Sequence, residues 1–485
     1  MCENRQADRL VIRVWIPVCL WAWLGVGFFG LSGCGDNRQG QQPGTDSATS
    51  AQAQPGEKTG MADNEGTTAP PPTADTERVA TELQRAAEPA AGKSVEQQPA
   101  VGQPAETKIT AETKPTAEQP VPAIESGVAA VAAADWLFFR GDFAGRAFVP
   151  GATLPDTLEV VWEYWEPKCS YESSPVVSEG RVIVTDLDGM VRCLKLADKE
   201  LLWKTPTKFG FTASPSIHKG KIYIGDNDGM FRCLDLLTGK IEWEYQSNAQ
   251  IDSSANFYQD NVLFGSQDAN VYSLNAADGT FQWKHTIDDQ VRCSIVIDGQ
   301  RTAVAGCDAV LHVIDASNGA GVAKIDLTSQ TAVAPAMVGP LAYFGMENGE
   351  FICADMEEKR IVWTWKDERQ EASIRGSAAV TDTAVIFGSR GNRVICLDRQ
   401  TGEVKWTYRA KRSVESSVLV VGERVYVGDT AGNLMVLNVS DGQLLQNLEL
   451  SGGITSSPCL TGDKLLVTTQ EGMVYCLGGK PAANR

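Results

Sequence analysis

The sequence predicts an all-β chain folded as an eight-bladed β-propeller with four antiparallel strands to a blade. Three observations carry that expectation. Tryptophans recur as Trp162, Trp203, Trp243, Trp283, Trp363 and Trp406, at intervals of 41, 40, 40, 80 and 43 residues. Each interval holds short apolar runs separated by Gly and Asp/Asn turns, the pattern of a propeller blade. The last interval stops one strand short, while an unattached tryptophan strand precedes the first.

The chain opens with a different kind of segment. Arg5, Arg9 and Arg13 precede an uncharged apolar run over 14–31 that ends in Leu31-Ser32-Gly33-Cys34. A secretory signal ends at small residues, and the cysteine placed directly after them resembles the lipobox of bacterial lipoproteins. That resemblance implies a signal peptide over 1–33, cleavage before Cys34, a diacylated Cys34 thiol and an acylated new amine. An uncleaved transmembrane anchor of similar length is the alternative, but it does not account for a cysteine at this place. Two or three acyl chains, at about 0.8 kcal/mol per buried methylene, anchor a protein stably.

Residues 34–134 are rich in Ala, Gln, Pro, Thr, Glu and Gly, with almost no aromatics. Such a composition cannot bury enough apolar surface to offset its ordering entropy, so a disordered tether is expected. About 100 residues of this kind reach roughly 50–60 Å. A short tail over 480–485 closes the chain.

The repeat occupies 135–479. A unit begins with small residues and an apolar run, as in Ser173-Ser174-Pro175-Val176-Val177. A tight turn leads to a second strand such as Lys221-Ile222-Tyr223-Ile224. Asp186-Leu187-Asp188-Gly189 and its counterparts then supply the positive φ of a hairpin turn. A third strand, such as Met230-Phe231-Arg232-Cys233-Leu234, a second Gly turn and the tryptophan strand complete the unit. Seven units run over 172–450, and an eighth over 454–477 has three strands. The strand over 158–165 supplies the missing one and removes the open edges. The span 158–477 is 320 residues, eight blades of 40.

The recurring Asp-x-x-Thr-Gly-x-x-x-Trp resembles the tryptophan-docking repeat of pyrroloquinoline-quinone (PQQ) enzymes and their non-enzymatic relatives. The lead-in Asp135-Trp136-Leu137-Phe138-Phe139-Arg140-Gly141 is similar to the opening of bacterial PQQ-like repeat proteins. In plan the chain resembles the propeller lipoprotein of the outer-membrane β-barrel assembly machinery. The resemblance implies a monomeric, lipid-anchored scaffold in the cell envelope, facing the periplasm and at the outer membrane rather than the inner. Its partners would be proteins, outer-membrane assembly components among them.

Within that frame the tryptophans dock neighbouring blades, each burying about 150–250 Å². Ala323 and Gln446 occupy the same slot and are expected to leave two junctions less well filled. Cys193, Cys233, Cys353, Cys396 and Cys476 share a column that elsewhere holds Ser273, Val313 and Val436. A site accepting those types wants a small buried side chain, so core packing is expected rather than disulfides.

The enzymatic alternative is a quinoprotein dehydrogenase, which would hold PQQ and calcium over the channel. The chain has no Cys-Cys pair, its inter-blade loops are short, and no calcium set or catalytic aspartate can be placed on it; no catalytic residue, metal or cofactor is expected. Kinase signatures are absent. The net charge of -18, with 43 Lys+Arg against 61 Asp+Glu, argues against nucleic acid. His218, His285 and His312 share no metal-ligand spacing. A third class, recognition of cell-wall or carbohydrate polymer, would use aromatics such as Trp165 and Trp365.

The residue before each first strand should face the mouth of the central channel: Glu172, Thr212, Asp252, Arg292, Ala332, Arg375, Glu415 and Thr455. Arg292 and Arg375 flank the neutral Ala332. One reading is a positive sector that holds a carboxylate or an acidic loop. The other, which the sequence favours, is mutual pairing of Asp252 with Arg292 and Arg375 with Glu415.

Overall fold

The structure, a computed structural model, describes residues 135–368 and 371–479. The expected signal peptide, Cys34, the expected tether and the tail lie outside the described residues. The rest is a ring of eight four-stranded antiparallel sheets, the seventh extended by the short parallel strand Phe148–Val149, with no helix among the described residues. Blades 1 to 7 span 176–206, 216–246, 256–286, 296–326, 336–366, 379–409 and 419–449. Blade 8 takes three strands from 459–478 and its outer strand from Glu159–Trp165, which pairs antiparallel with Met473–Gly478. The first and last parts of the fold therefore share one sheet, and the ring has no loose end.

Each blade follows from its turns. Between the second and third strands of blade 1, Asp186 accepts hydrogen bonds from the backbone N–H of Asp188 (3.0 Å) and Met190 (2.9 Å) and pairs with Arg192. Asp226 repeats this in blade 2 with Asp228, Met230 and Arg232. Gly189 closes the first turn at φ 87°, where a Cβ would stand 2.7 Å from the Phe209 carbonyl oxygen. Only glycine fits there.

The central strands are buried on both faces, while the outer strands alternate between exposed and half-buried residues. Every outer strand is also bulged just before the tryptophan slot: the register shifts between Cys193 and Leu194 opposite Trp203, and equivalently in all eight sheets. A bulge twists an edge out of the geometry that another strand could pair with.

The tryptophans sit between blades. The indole N–H of Trp162, Trp203, Trp243, Trp363 and Trp406 donates to the carbonyl of Leu196, Leu236, Ala276, Arg399 and Val439 in the following blade, at 2.8–3.2 Å. Trp283 lies over Gly319 in the same way, but its N–H has no partner among the described residues. Across the sheet, each slot faces the small-residue column: Cys193 opposite Trp203, Cys233 opposite Trp243, Cys476 opposite Trp162. The bulky ring takes the inter-blade space, so its cross-strand neighbour stays small. Burial pushes the thiols of Cys193, Cys233, Cys353, Cys396 and Cys476 up to about 12, which keeps them protonated and unreactive.

The two exceptional slots make contacts of their own in place of the indole. Ala323 joins an apolar cluster that includes Met356 and Ile361 of the next blade. Gln446 exchanges two hydrogen bonds with Leu158: its Nε2 donates to the Leu158 carbonyl at 2.7 Å, and its Oε1 accepts the Leu158 N–H at 2.9 Å.

Candidate functional site at the channel mouth

The innermost strands line a central channel, and the residues that precede them converge at one end of it. Glu172, Thr212, Asp252, Arg292, Ala332, Arg375, Glu415 and Thr455 all line a single cavity of about 220 Å³. The repeat puts them there: each sits at the same point of its blade, where the chain crosses from the outer strand of one blade to the inner strand of the next.

One turn deeper lies a ring the sequence reading missed, formed by Ser174, Ser214, Ser254, Ser294, Ser377, Ser417 and Ser457. Their recurrence near every 40 residues is visible in the sequence. The backbone N–H of Ser174 donates to Ser214 Oγ (2.9 Å), Ser214 to Ser254 (3.0 Å), Ser254 to Ser294 (3.0 Å) and Ser377 to Ser417 (3.0 Å). Ser457 N–H donates to Ser174 Oγ at 2.8 Å and carries the pattern across the closure.

The lead-in closes the channel below that ring. Its carbonyls accept hydrogen bonds from one inner strand after another: Trp136 from Val177, Leu137 from Ile217, Phe143 from Ile297, Ala144 from Met337, Arg146 from Val380 and Ala147 from Val420, at 2.7–2.9 Å. Blade 3 joins through Asn256 Nδ2, which donates to Phe143 O at 2.8 Å. Phe139 forms part of the cavity wall from below. Beside it, Arg140 is 2 % exposed and its Nη2 donates to the carbonyls of Ala378 (2.8 Å) and Val418 (2.6 Å) in blades 6 and 7. Burial lowers the Arg140 pKa to about 9, against the opposing pull of Asp142, so it stays charged at neutral pH. The mouth is thus a cup with a floor.

Its charges pair differently from the sequence reading in one respect. Asp252 does meet Arg292, at 3.2 Å, and also accepts from Gln250 and Gln267. Arg375 instead pairs with Glu347 at 3.1 Å, and Glu415 with Arg390 at 3.2 Å. The turns between the second and third strands of blades 5 and 6 bring Glu347 and Arg390 up to the rim, closer than the neighbouring blade's mouth residue. Both cavity-lining arginines are therefore paired with acids, and no positive sector is left over among the described residues. Glu172 has no hydrogen-bond or ion-pair partner among the described residues. Its pKa is raised, by burial first and then by the charges of Asp252 and Glu415.

No group of three or more His, Cys, Asp or Glu side chains placed to hold a metal ion occurs among the described residues. The cavity is smaller than the roughly 300–1,000 Å³ of typical cofactor pockets. These residues do not fit a calcium-bound quinone. Trp365 packs edge-on against Phe387 of the next blade (ring centroids 5.5 Å apart), whereas Trp165 stands alone at 62 % exposed.

Fold and site together define a closed eight-bladed propeller of the PQQ-like class whose channel ends in a shallow polar cup. A family model described as outer membrane protein assembly factor BamB matches residues 151–295 and 291–480, and the chain belongs to that family. A BamB from Legionella pneumophila (strain Paris) is 42 % identical over 55 residues, 11 % of this chain and 14 % of that relative's length. The crystal structure of BamB from Moraxella catarrhalis superposes with a TM-score of 0.58 at 19 % identity, covering 68 % of this chain and all of that one. The quinohemoprotein alcohol dehydrogenase of Comamonas testosteroni superposes with a TM-score of 0.62 at 13 % identity, covering 72 % and 82 %. Identities this low speak to the fold alone.

Proposed function

We propose that this chain is a non-catalytic, membrane-anchored propeller scaffold that binds protein partners during outer-membrane protein assembly. The observation that carries the reading is the match to the BamB family across both halves of the ring. Three features support it. The repeat is spent on closing and docking blades, the loops between blades are short, and the cup is too small and too differently lined for a quinone. In this reading Cys34 carries the lipid, residues 34–134 are the tether, and the propeller works in the periplasm at the outer membrane as a monomer.

Crosslinking of the full-length chain in native envelopes, with mass spectrometry of the captured proteins, tests this. Enrichment of barrel-assembly components is expected. Enrichment of none of them, with a control lipoprotein capturing its own partner, counts against the scaffold. Cys34→Ser is expected to release the chain from membranes into the soluble fraction.

The enzymatic alternative is a quinoprotein, a class that shares this fold. Titration of the full-length chain with PQQ and calcium, followed by quinone absorbance, separates the two; the scaffold reading expects no saturable uptake.

A further inference from the structure

We propose that the cup is a socket for one long cationic side chain, lysine or arginine, presented by a protein partner. This rests on the scaffold reading and adds the chemistry of what is bound.

The cup has two unlike walls. On blade 5 it is apolar, with Ala332, Val333 and Ala334 beside Phe139. Around the rest of the mouth from there, on blades 6 to 1, polar groups without partners are concentrated. The amide-to-hydroxyl ring breaks on this side: no amide reaches the Oγ of Ser377, where the preceding blade carries Ala334, nor that of Ser457. Both serines are largely buried as residues (3 % and 4 % exposed) and line the cavity, their hydroxyl oxygens reaching it with no protein donor or acceptor among the described residues. Thr455 Oγ1, also in the lining, is buried without a partner. Glu172 adds a carboxylate with no cation.

A buried polar atom left unpaired, as Thr455 Oγ1 is, costs free energy, and a ligand that supplies partners to it and to the cavity-facing hydroxyls and carboxylate gains those hydrogen bonds. Among the described residues the lining holds three carboxylates (Glu172, Asp252, Glu415) against two arginines, an excess of one negative charge. An anion is repelled, and a purely apolar chain leaves Glu172 and the hydroxyls unmet. A lysine or arginine lays its methylene stem along the apolar wall and its charged head among Glu172, Ser377 and Ser457. A helix, about 10–12 Å across with side chains, is too wide for a cavity of about 220 Å³, so the bound group is a single side chain. The elevated pKa of Glu172 agrees with a carboxylate that lacks its counter-ion.

The test is calorimetric titration of the full-length chain with four capped tripeptides, Gly-Lys-Gly, Gly-Arg-Gly, Gly-norleucine-Gly and Gly-Glu-Gly, up to about 10 mM. Saturable binding of a cationic peptide is expected, with the norleucine peptide at least tenfold weaker and the glutamate peptide silent. Glu172→Gln, verified as folded by its melting curve, is expected to weaken the better cationic peptide tenfold or more, and Ser377→Ala severalfold. Silence of both cationic peptides, equal binding of norleucine, or unchanged binding in Glu172→Gln overturns the socket. The titration decides this whatever the crosslinking shows: capture of assembly components with no peptide binding overturns the socket and leaves the scaffold standing.

Discussion

Gln446 and Leu158 hold the seam of the ring through a reciprocal pair of hydrogen bonds, side-chain amide to backbone amide, at 2.7 and 2.9 Å. At the other junctions a tryptophan, or Ala323, fills the slot and packs on the next blade's own hairpin. At the last junction that hairpin is missing, because the outer strand of blade 8 arrives from the start of the domain. Leu158 leads into that strand, and its free N–H and C=O need partners that an indole cannot both supply.

Gln446→Ala leaves those two groups unpaired in a half-buried position, at a cost of about 1–3 kcal/mol. Urea denaturation measures the loss. Hydrogen exchange is expected to show it first in Glu159–Trp165, before the strands of blades 2 to 5.

The regular junctions respond to both partners of each contact. Gly279 has φ 75°, and a Cβ there would lie 2.7 Å from the Trp243 ring. Trp243→Ala is expected to cost about 3–5 kcal/mol. Gly279→Ala is expected to cost more than 1 kcal/mol, through backbone strain and overlap together. The double variant should be less destabilised than the sum, because the overlap disappears with the ring. Additive costs in chemical denaturation would show that strain alone acts at Gly279.

Arg140 ties the floor of the channel to blades 6 and 7. Arg140→Ala removes both hydrogen bonds to the Ala378 and Val418 carbonyls and costs about 1–3 kcal/mol. Limited proteolysis is expected to cut the lead-in over 136–149 faster in this variant while the blades stay protected.

Glu172 gives a pH signature. Its pKa is raised in the folded chain by burial and by Asp252 and Glu415, while Arg292 and Arg375 also line the cavity but are paired with other acids. A carboxyl that holds its proton more tightly when folded makes stability fall as pH rises from the ordinary glutamate range through the raised value. Glu172→Gln is therefore expected to melt higher than the unaltered chain at neutral pH, with the difference vanishing in acid below that range. A difference that grows toward acid would reverse the assignment.

The architecture was legible because it repeats. A period near 40 residues, the tryptophan slot and the three-stranded final unit determined the blade count and the closure, and the residues before each first strand line one cavity. Repetition makes one local rule apply eight times, so local sequence carries global form. What the sequence left open lies where that rule is broken or where different blades meet. The pairing of Arg375 with Glu347 and Glu415 with Arg390 depends on how far each rim turn reaches across the mouth, a distance that spacing along the chain does not encode. The lead-in forms the floor only because inner strands from seven blades present their free edges around one axis. The hydroxyls of Ser377 and Ser457 receive no amide from the preceding blade, unlike their counterparts at Ser174, Ser214, Ser254, Ser294 and Ser417. Composition, spacing and turn chemistry determined the ring; only its closure decided which charges and hydroxyls in the mouth are left without a partner, since burial and proximity between blades exist only in the assembled fold.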